Sequence, residues 1–387
     1  MEERLIETTA DLNTLCQDIQ GSPWLALDTE FMREKTYSAR LCLLQLHNGE
    51  VSAGIDPLAL EDLGPLLGIL YDPGVVKVFH AGRQDLEIFQ QLWGRLPSPL
   101  FDTQLAAAML GLGDQIGYGN LVQQLLGREL EKGHTRTDWC RRPLEPAQLR
   151  YALDDVIYLG QIYQVLERRL REQGRLEWLQ EEFALLADPA TYRIDPRQMW
   201  RRVKGQQRLK GVQLAVLQEL AAWREEQAIR SDRPRRWILK DEVLLELARR
   251  QPAKRSELQR IRGLEEGTIK RHGERLLALI AEARQRPREQ WPVLQRPPPR
   301  LSPEQEAMVD LLMAGLRLLA EEAGITPSAI AGRRDLERLA AGDSDGLELL
   351  RGWRRRVAGT ALQQIMTGER ALRVEDGRLR LIHQDGD

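Results

Sequence analysis

The sequence predicts an α/β domain built on a mixed sheet, followed by two all-helical domains. Three observations predict it. Short β-like runs alternate with helix-like runs through residue 200, strand-like runs cease beyond that point, and six prolines within residues 287–303 divide the helical remainder. The boundaries read in this way are 1–200 for the α/β domain, 206–286 for the first helical domain, 287–303 for a stiff linker and 304–382 for the second helical domain. Proline removes N–H donors and biases the preceding residue away from helix, so the linker is expected to be extended.

The elements follow in order. "PWLALDTEF" reads as a strand, and "RLCLLQLHNGEVSAGID" as two strands around Asn48-Gly49, a strong hairpin signal. "GVVKVFH" (74–80) suits a buried strand and leads through Ala81-Gly82 into the helical pattern "RQDLEIFQQLWG". "LFDTQLAAAMLG" has helical apolar spacing, and "PAQLRYALDDVIYLGQIYQVLERRLREQG" is a long helix with Gly174 as its stop signal. "HTRTDWCRRPL" (134–144) fits neither period and reads as a loop. Residues 206–285 read as several helices broken at "SDRPRR", "QPAKRSE" and "IRGLEEG", and 304–380 are helical from "EQEAMVDLLMAGLRLLAEEAG" onward. Two such domains suggest a duplication, although they share little residue identity.

The chain has 387 residues with 42% hydrophobic and 29% charged content, which describes a soluble globular protein. No apolar run approaches the ~18–20 residues needed to span a bilayer, and the acidic N-terminus lacks a secretory apolar region. Cys16, Cys42 and Cys140 lie far apart with no C-x-x-C pair. That spacing argues against a disulfide framework or a zinc ribbon and suits the cytoplasm. A monomer without membrane partners is expected. The net charge of −2 hides an asymmetry: residues 201–300 carry 25 Lys+Arg against 13 Asp+Glu, a net of +12, whereas the rest carries −14. A basic middle between acidic flanks points to a polyanion-binding segment.

The acids carry the chemistry. Asp28 and Glu30 in "LALDTEF" alternate on one side of a strand, in an apolar setting that makes like charges costly. Asp85 falls in the first turn of a helix, where the dipole favours an anion. Tyr151 and Asp155 stand four residues apart in a helix and share a face. Asp154 should point roughly 100° away. Oxygen-only ligands converging without a lysine call for two hard divalent cations, Mg²⁺ or Mn²⁺. Such a pair, about 3.5–4 Å apart, serves in-line displacement at phosphorus, and Tyr151 would hold or help deprotonate the attacking water. Asp102 reads as a helix N-cap and His80 as a residue hydrogen-bonded to the turn backbone.

"LALDTEF", "HAGRQDLEIF" and "YALDDVIYL", in that order, resemble the three exonuclease motifs of the DEDD superfamily. With "LFDTQLAA" and "RTDWCRRPL", the whole chain is similar to the ribonuclease D family. Residues 206–285 look like the HRDC module shared with RecQ helicases, and 304–380 like a diverged second copy. The resemblance implies an RNase H-like exonuclease fold and 3′-5′ exoribonuclease activity. The products would be nucleoside 5′-monophosphates released by two-metal-ion hydrolysis, with RNA, notably tRNA precursors with 3′ extensions, as substrate. It maps the four acidic metal-site residues onto Asp28, Glu30, Asp85 and Asp155, and the motif-three tyrosine onto Tyr151. Arg150 stands where the sister subclass has histidine, which places the chain in the tyrosine subclass, DEDDy. Leu153-Asp154 departs from the small residues usual there. On this reading Asp28 bridges both ions, Glu30 and Asp155 complete the first site, and Asp85 helps hold the second.

RNA contacts are expected from Arg83, Arg136, Trp139, Arg141 and Arg142 near the acids, and from Lys204, Lys210, Arg233, Arg235 and Arg236 in the basic middle. Trp223 and Trp237 sit in apolar helical patterns that suit a core. A DNA 3′-5′ exonuclease on the same fold is one rival, since nothing in the motifs reads a 2′-hydroxyl. A non-catalytic RNA-binding adapter is another, disfavoured by the presence of all four acids.

Overall fold

The computed structural model describes residues 2–130, 137–294 and 300–384. The chain divides into two compact units, one of residues 1–30, 41–191 and 299–387, the other of 31–40 and 192–298.

The first unit holds strands β1 (Glu2–Ile6), β2 (Trp24–Met32), β3 (Arg40–His47), β4 (Val51–Ile55), β5 (Val76–Phe79) and β6 (Leu100–Asp102), in the sheet order β1-β4-β3-β2-β5-β6. Strand β1 runs parallel to β4, β4 antiparallel to β3, and β2, β5 and β6 are parallel neighbours, so the sheet is mixed as predicted. The hairpin between β3 and β4 turns at Asn48-Gly49, where the Asn48 side chain accepts the Glu50 and Val51 N–H groups at 3.0 and 2.8 Å. Two strands escape the sequence reading. Strand β1 is a charged edge strand, as edges tolerate, and β6 is three buried residues, too short to show a period.

Helices α1 (Thr9–Asp18), α2 (Gly64–Leu70), α3 (Arg83–Trp93), α4 (Thr103–Met109), α5 (Tyr118–Leu126), α6 (Pro146–Glu172) and α7 (Gln180–Leu186) complete this α/β body. Helix α6 ends as expected, just before Gly174 at φ +63°. It lies close on the sheet because Gly160 has no side chain: a Cβ there would stand 2.8 Å from both His47 and Trp24.

The second unit is helical, with α8 (Val212–Ser231), α9 (Arg235–Ile238), α10 (Asp241–Arg250), α11 (Arg255–Leu258) and α12 (Glu266–Gln285) around an apolar core. Residues 31–40 belong to it through Tyr37, whose hydroxyl donates to the buried Glu225 at 2.5 Å and whose N–H donates to Asp232 at 3.1 Å. Trp223 is buried, but Trp237 is 61% exposed, which corrects its assignment to the core. The four-residue α9 keeps Leu239 inside and turns Trp237 out. The stretch read as a linker begins inside this unit. Trp291 packs against Gly211 and donates its Nε1–H to the Arg286 carbonyl at 3.0 Å. Residues 295–299 of that stretch lie outside the described residues.

Helices α13 (Pro303–Ala323), α14 (Pro327–Ile330), α15 (Arg333–Ala340), α16 (Gly352–Arg354) and α17 (Thr360–Thr367) return to the first unit. One apolar cluster runs from Met109, Val156 and Leu159 to Leu312, Leu316 and Trp353. Trp178 stacks on Trp353 with centroids 5.1 Å apart and planes at 6°. Arg354 pairs with Glu182, and Arg175 donates to the carbonyls of Met109 at 3.1 Å and Ala323 at 2.5 Å. The reading of helix to residue 380 fails at its end. β7 (Arg370–Glu375) and β8 (Arg378–His383) form a hairpin through Asp376-Gly377, both at positive φ, a signal present in the sequence. The two helical segments repeat one order. In each, a long helix is followed by a four-residue helix next to a proline, an extended residue (Leu239, Ala331) and a third helix.

The cysteine reading is also corrected. Cys42 on β3 and Cys140 are bonded, with an S–S distance of 2.09 Å across 98 residues of chain. Spacing along the sequence holds no trace of that contact.

Candidate active site

Strand β2 places Asp28 and Glu30 by simple alternation, with Thr29 between them buried at 5% exposure. The Thr29 hydroxyl donates to the Asp85 carboxylate. Asp85 reaches it because the chain turns sharply after β5, with Ala81 at φ +52°. A Cβ on Gly82 would stand 2.5 Å from that of Phe79, so only glycine permits the turn. Asp102 caps α4 as read, accepting the Gln104 N–H at 2.8 Å, and also receives the Gly82 N–H at 2.9 Å. Helix α6 starts with Pro146, and the Glu145 N–H is held by Gln148 at 2.8 Å. Tyr151 and Asp155 follow on successive turns of one face.

Carboxylate oxygens of Asp28, Glu30 and Asp155 lie within 4.8 Å of one another. Asp85 stands outside that group, although its charge bears on Asp28. Burial, then Asp85, Asp155 and Glu30, pushes the Asp28 carboxyl well above the usual range. Burial, then Asp155 and Asp85, raises Glu30 to about 8. Burial and then Asp154 raise Asp155 to about 7, and burial raises Asp85 to about 6 against the opposing Thr29 hydrogen bond. A shared cause underlies all four: anions gathered out of water, with no cation beside them among the described residues.

The three clustered acids open onto a cavity of about 730 Å³ whose lining includes Thr29, His80, Tyr118, Asn120, Gln123 and Tyr151, with no lysine or arginine among the described residues. An all-oxygen, all-anionic donor set fits a hard divalent cation. Helical phase selects the acid: Asp155 lines the cavity and Asp154 does not.

Further side chains fix the walls. The Tyr118 hydroxyl donates to the Asp155 carbonyl. His80 places Nδ1 2.9 Å from Thr103 Oγ1 and Nε2 3.1 Å from the Ile116 carbonyl, so its partners lie beyond its own turn. Burial, then Asp155, Glu30 and Asp28, raises the Tyr151 hydroxyl to about 12. Sequence reasoning missed Tyr118, Asn120 and Gln123. Their signal was the amphipathic run "YGNLVQQLL", whose buried Leu121 and Val122 leave Asn120 and Gln123 on the opposite face.

Several expected RNA contacts are placed differently. Trp139 is buried at 4% exposure with its ring 6.3 Å from that of Tyr151, so it braces the tyrosine and offers no face to a base. Arg142 pairs with the buried Asp56 and donates to the Cys42 carbonyl at 2.6 Å, a structural role. Arg235 is bound to Glu225 at 2.5 Å. Arg83 is exposed and outside the cavity lining. Arg136 lies outside the described residues. Arg141, Lys204, Lys210, Arg233 and Arg236 are exposed and make no ion pair among the described residues.

Comparison with known proteins bears on these features. A 3′-5′ exonuclease family model matches residues 4–171, and an HRDC domain model matches residues 213–280. Ribonuclease D of Granulibacter bethesdensis is 43% identical over 380 residues, covering 98% of this chain and 96% of that protein. The chain belongs to the ribonuclease D family. Ribonuclease D of Gluconacetobacter diazotrophicus is 44% identical over 382 residues, with 98% and 96% covered. The crystal structure of Escherichia coli RNase D, described as an exoribonuclease involved in structured RNA processing, superposes with a TM-score of 0.79 at 34% identity, covering 95% of this chain and 99% of that one. As a ribonuclease D, the chain is a 3′-5′ exoribonuclease that acts on RNA, and its exonuclease fold implies divalent metal ions. The adapter reading is set aside.

Proposed function

We propose that this ribonuclease D trims 3′ extensions from structured RNAs, tRNA precursors foremost, as a cytoplasmic monomer using Mg²⁺. The observation that carries the reading is the gathering of Asp28, Glu30 and Asp155 within 4.8 Å at a cavity lined by no cationic side chain among the described residues. These three would hold divalent cations, with Asp28 shared between two and Asp85 bearing on the second. Bound there, the ions supply charge neutralisation at phosphorus and lower the pKa of water.

The protein's own groups do the rest. β2 and α6 hold the carboxylates in register, and the Thr29 bond keeps Asp85 beside them. Tyr151, braced by Trp139, would hold the attacking water or help deprotonate it. The HRDC module at 206–286, with Lys204 just before it, would capture the RNA body through Lys204, Lys210, Arg233 and Arg236, with exposed Trp237 among them as a stacking surface. Arg141 would serve near the site. The repeated helix order supports reading 304–382 as a diverged second copy, here built into the nuclease core.

Digestion of a 3′-extended tRNA by wild type and Asp28→Asn, with and without Mg²⁺, tests the reading. Release of mononucleotides should need both Mg²⁺ and Asp28, while RNA binding survives in the variant. Activity retained in Asp28→Asn sinks the site assignment, and equal rates on a matched DNA oligonucleotide favour the DNA rival.

A further inference from the structure

No element of the catalytic motifs reads a 2′-hydroxyl, yet the enzyme acts on RNA. The cavity supplies candidates by elimination. Its acids are committed to the metal side, and Tyr151 to the water. Thr29 gives its hydroxyl to Asp85, Tyr118 gives its own to the Asp155 carbonyl, and His80 has a partner at each ring nitrogen. Glu129 also lines the cavity, but a carboxylate offers acceptors alone. Asn120 and Gln123 are exposed to the cavity and make no side-chain hydrogen bond among the described residues. They stand three residues apart on α5, and so on one face.

The chemistry of the substrate selects what they contact. A nuclease that walks through any sequence gains nothing from amides matched to one base edge, because the four edges differ. The polar feature common to every 3′-terminal nucleotide of RNA is its ribose diol. Each hydroxyl there donates and accepts, and so does each carboxamide. Leu130 and Leu159, in the same lining, suit the apolar face that any base presents. We propose that Asn120 and Gln123 recognise the ribose of the 3′-terminal nucleotide, hydrogen-bonding its 2′-hydroxyl, and thereby set the preference for RNA ends over DNA ends. This rests on the metal-side assignment of the acids made above.

The test uses the full-length enzyme with Mg²⁺ and two RNA strands that differ only in a 2′-deoxy 3′-terminal residue. Wild type should favour the ribose end by about tenfold or more in kcat/KM, the scale of a lost hydrogen bond that leaves partners unpaired. Asn120→Ala/Gln123→Ala should bring the ratio to within about threefold. A purely structural role would slow both strands alike and leave the ratio where it was, which overturns the inference. A wild type indifferent to the substitution also overturns it. Inhibition of wild type by nucleoside monophosphates checks the same contact without a variant: AMP should bind more tightly than dAMP, and equal inhibition overturns the proposal. If wild type cuts neither strand with Mg²⁺, the metal-site reading fails and takes this inference with it. If it cuts both and only the ratio fails to respond, the inference alone falls.

Discussion

The Thr29 hydroxyl donates to the carboxylate of Asp85, 56 residues away, and ties the strand that carries Asp28 and Glu30 to the helix that carries Asp85. The bond keeps Asp85 at the edge of the cluster and favours its ionised form.

Thr29→Val removes the hydroxyl with little change of shape. A hydrogen bond to a charged group contributes about 1.5–3 kcal/mol, and the freed carboxylate would shift. We expect kcat to fall on the order of tenfold, with Thr29→Ser restoring most of it. Steady-state kinetics on one RNA oligonucleotide decides the matter, and an unaltered kcat in Thr29→Val shows that Asp85 needs no such tether.

A ligand that binds only the folded site stabilises it in proportion to its saturation, by about 2.7 kcal/mol at a hundred times Kd. Mg²⁺ should therefore raise the Tm of wild type, and a chelator should reverse the gain. Asp155→Asn should show no such rise. A thermal scan of both proteins with and without Mg²⁺ measures it, and an equal rise in both would place the stabilising ion elsewhere.

Trp139 lies against Tyr151 and is shielded from solvent. Trp139→Ala should cost about 3–5 kcal/mol of stability and lower kcat while leaving KM for RNA nearly unchanged. A selective rise in KM would mean that the indole meets RNA after all. Urea titration and steady-state kinetics give the two readouts.

Asp56 shows opposed forces on one carboxylate. Burial alone would raise its pKa, but the hydrogen bonds and charge of Arg142, with the Leu58 N–H, hold it below 3.8. Because the folded pKa is depressed, the pair stabilises the protein above pH 3.8, and that stability is lost as pH falls through the folded value. Arg142→Met leaves the buried charge unpaired at a cost of about 3–5 kcal/mol. The sign then inverts: burial raises the folded pKa, and lowering pH toward 4 should make the variant more stable relative to its own value at pH 7. Denaturant midpoints between pH 4 and 7 test this, and parallel curves for the two proteins would refute it.

What was legible in the sequence rests on short-range periodicity. Alternation put Asp28 and Glu30 on one side of a strand, and helical phase chose Asp155 over Asp154. The Asn48-Gly49 turn and the Gly174 stop were local signals of the same kind. Local signals also misled. The helical spacing around Trp237 implied burial, but a four-residue helix has no second turn with which to keep it inside. The remainder depends on partners far along the chain. Arg142 meets Asp56 across 86 residues, and Cys140 meets Cys42 across 98. Both contacts hold Trp139 and Arg142 inward, where the sequence suggests RNA-facing side chains. The amphipathic run of α5 put Asn120 and Gln123 on its polar face, but such a face looks alike whether it meets bulk water or a cavity.

The apolar cluster shared by α6 and the C-terminal helices sets the order in which the enzyme becomes whole. Asp155 emerges from the ribosome about two hundred residues before Leu362, which belongs to the same core. At synthesis rates of ~5–20 residues per second, that is a wait of roughly 10 to 40 seconds. During it Asp28, Glu30, Asp85 and Asp155 have all been made, but the C-terminal part of the core behind them is missing. A nuclease born beside its own messenger RNA thus completes its core only after the C-terminal helices have been made.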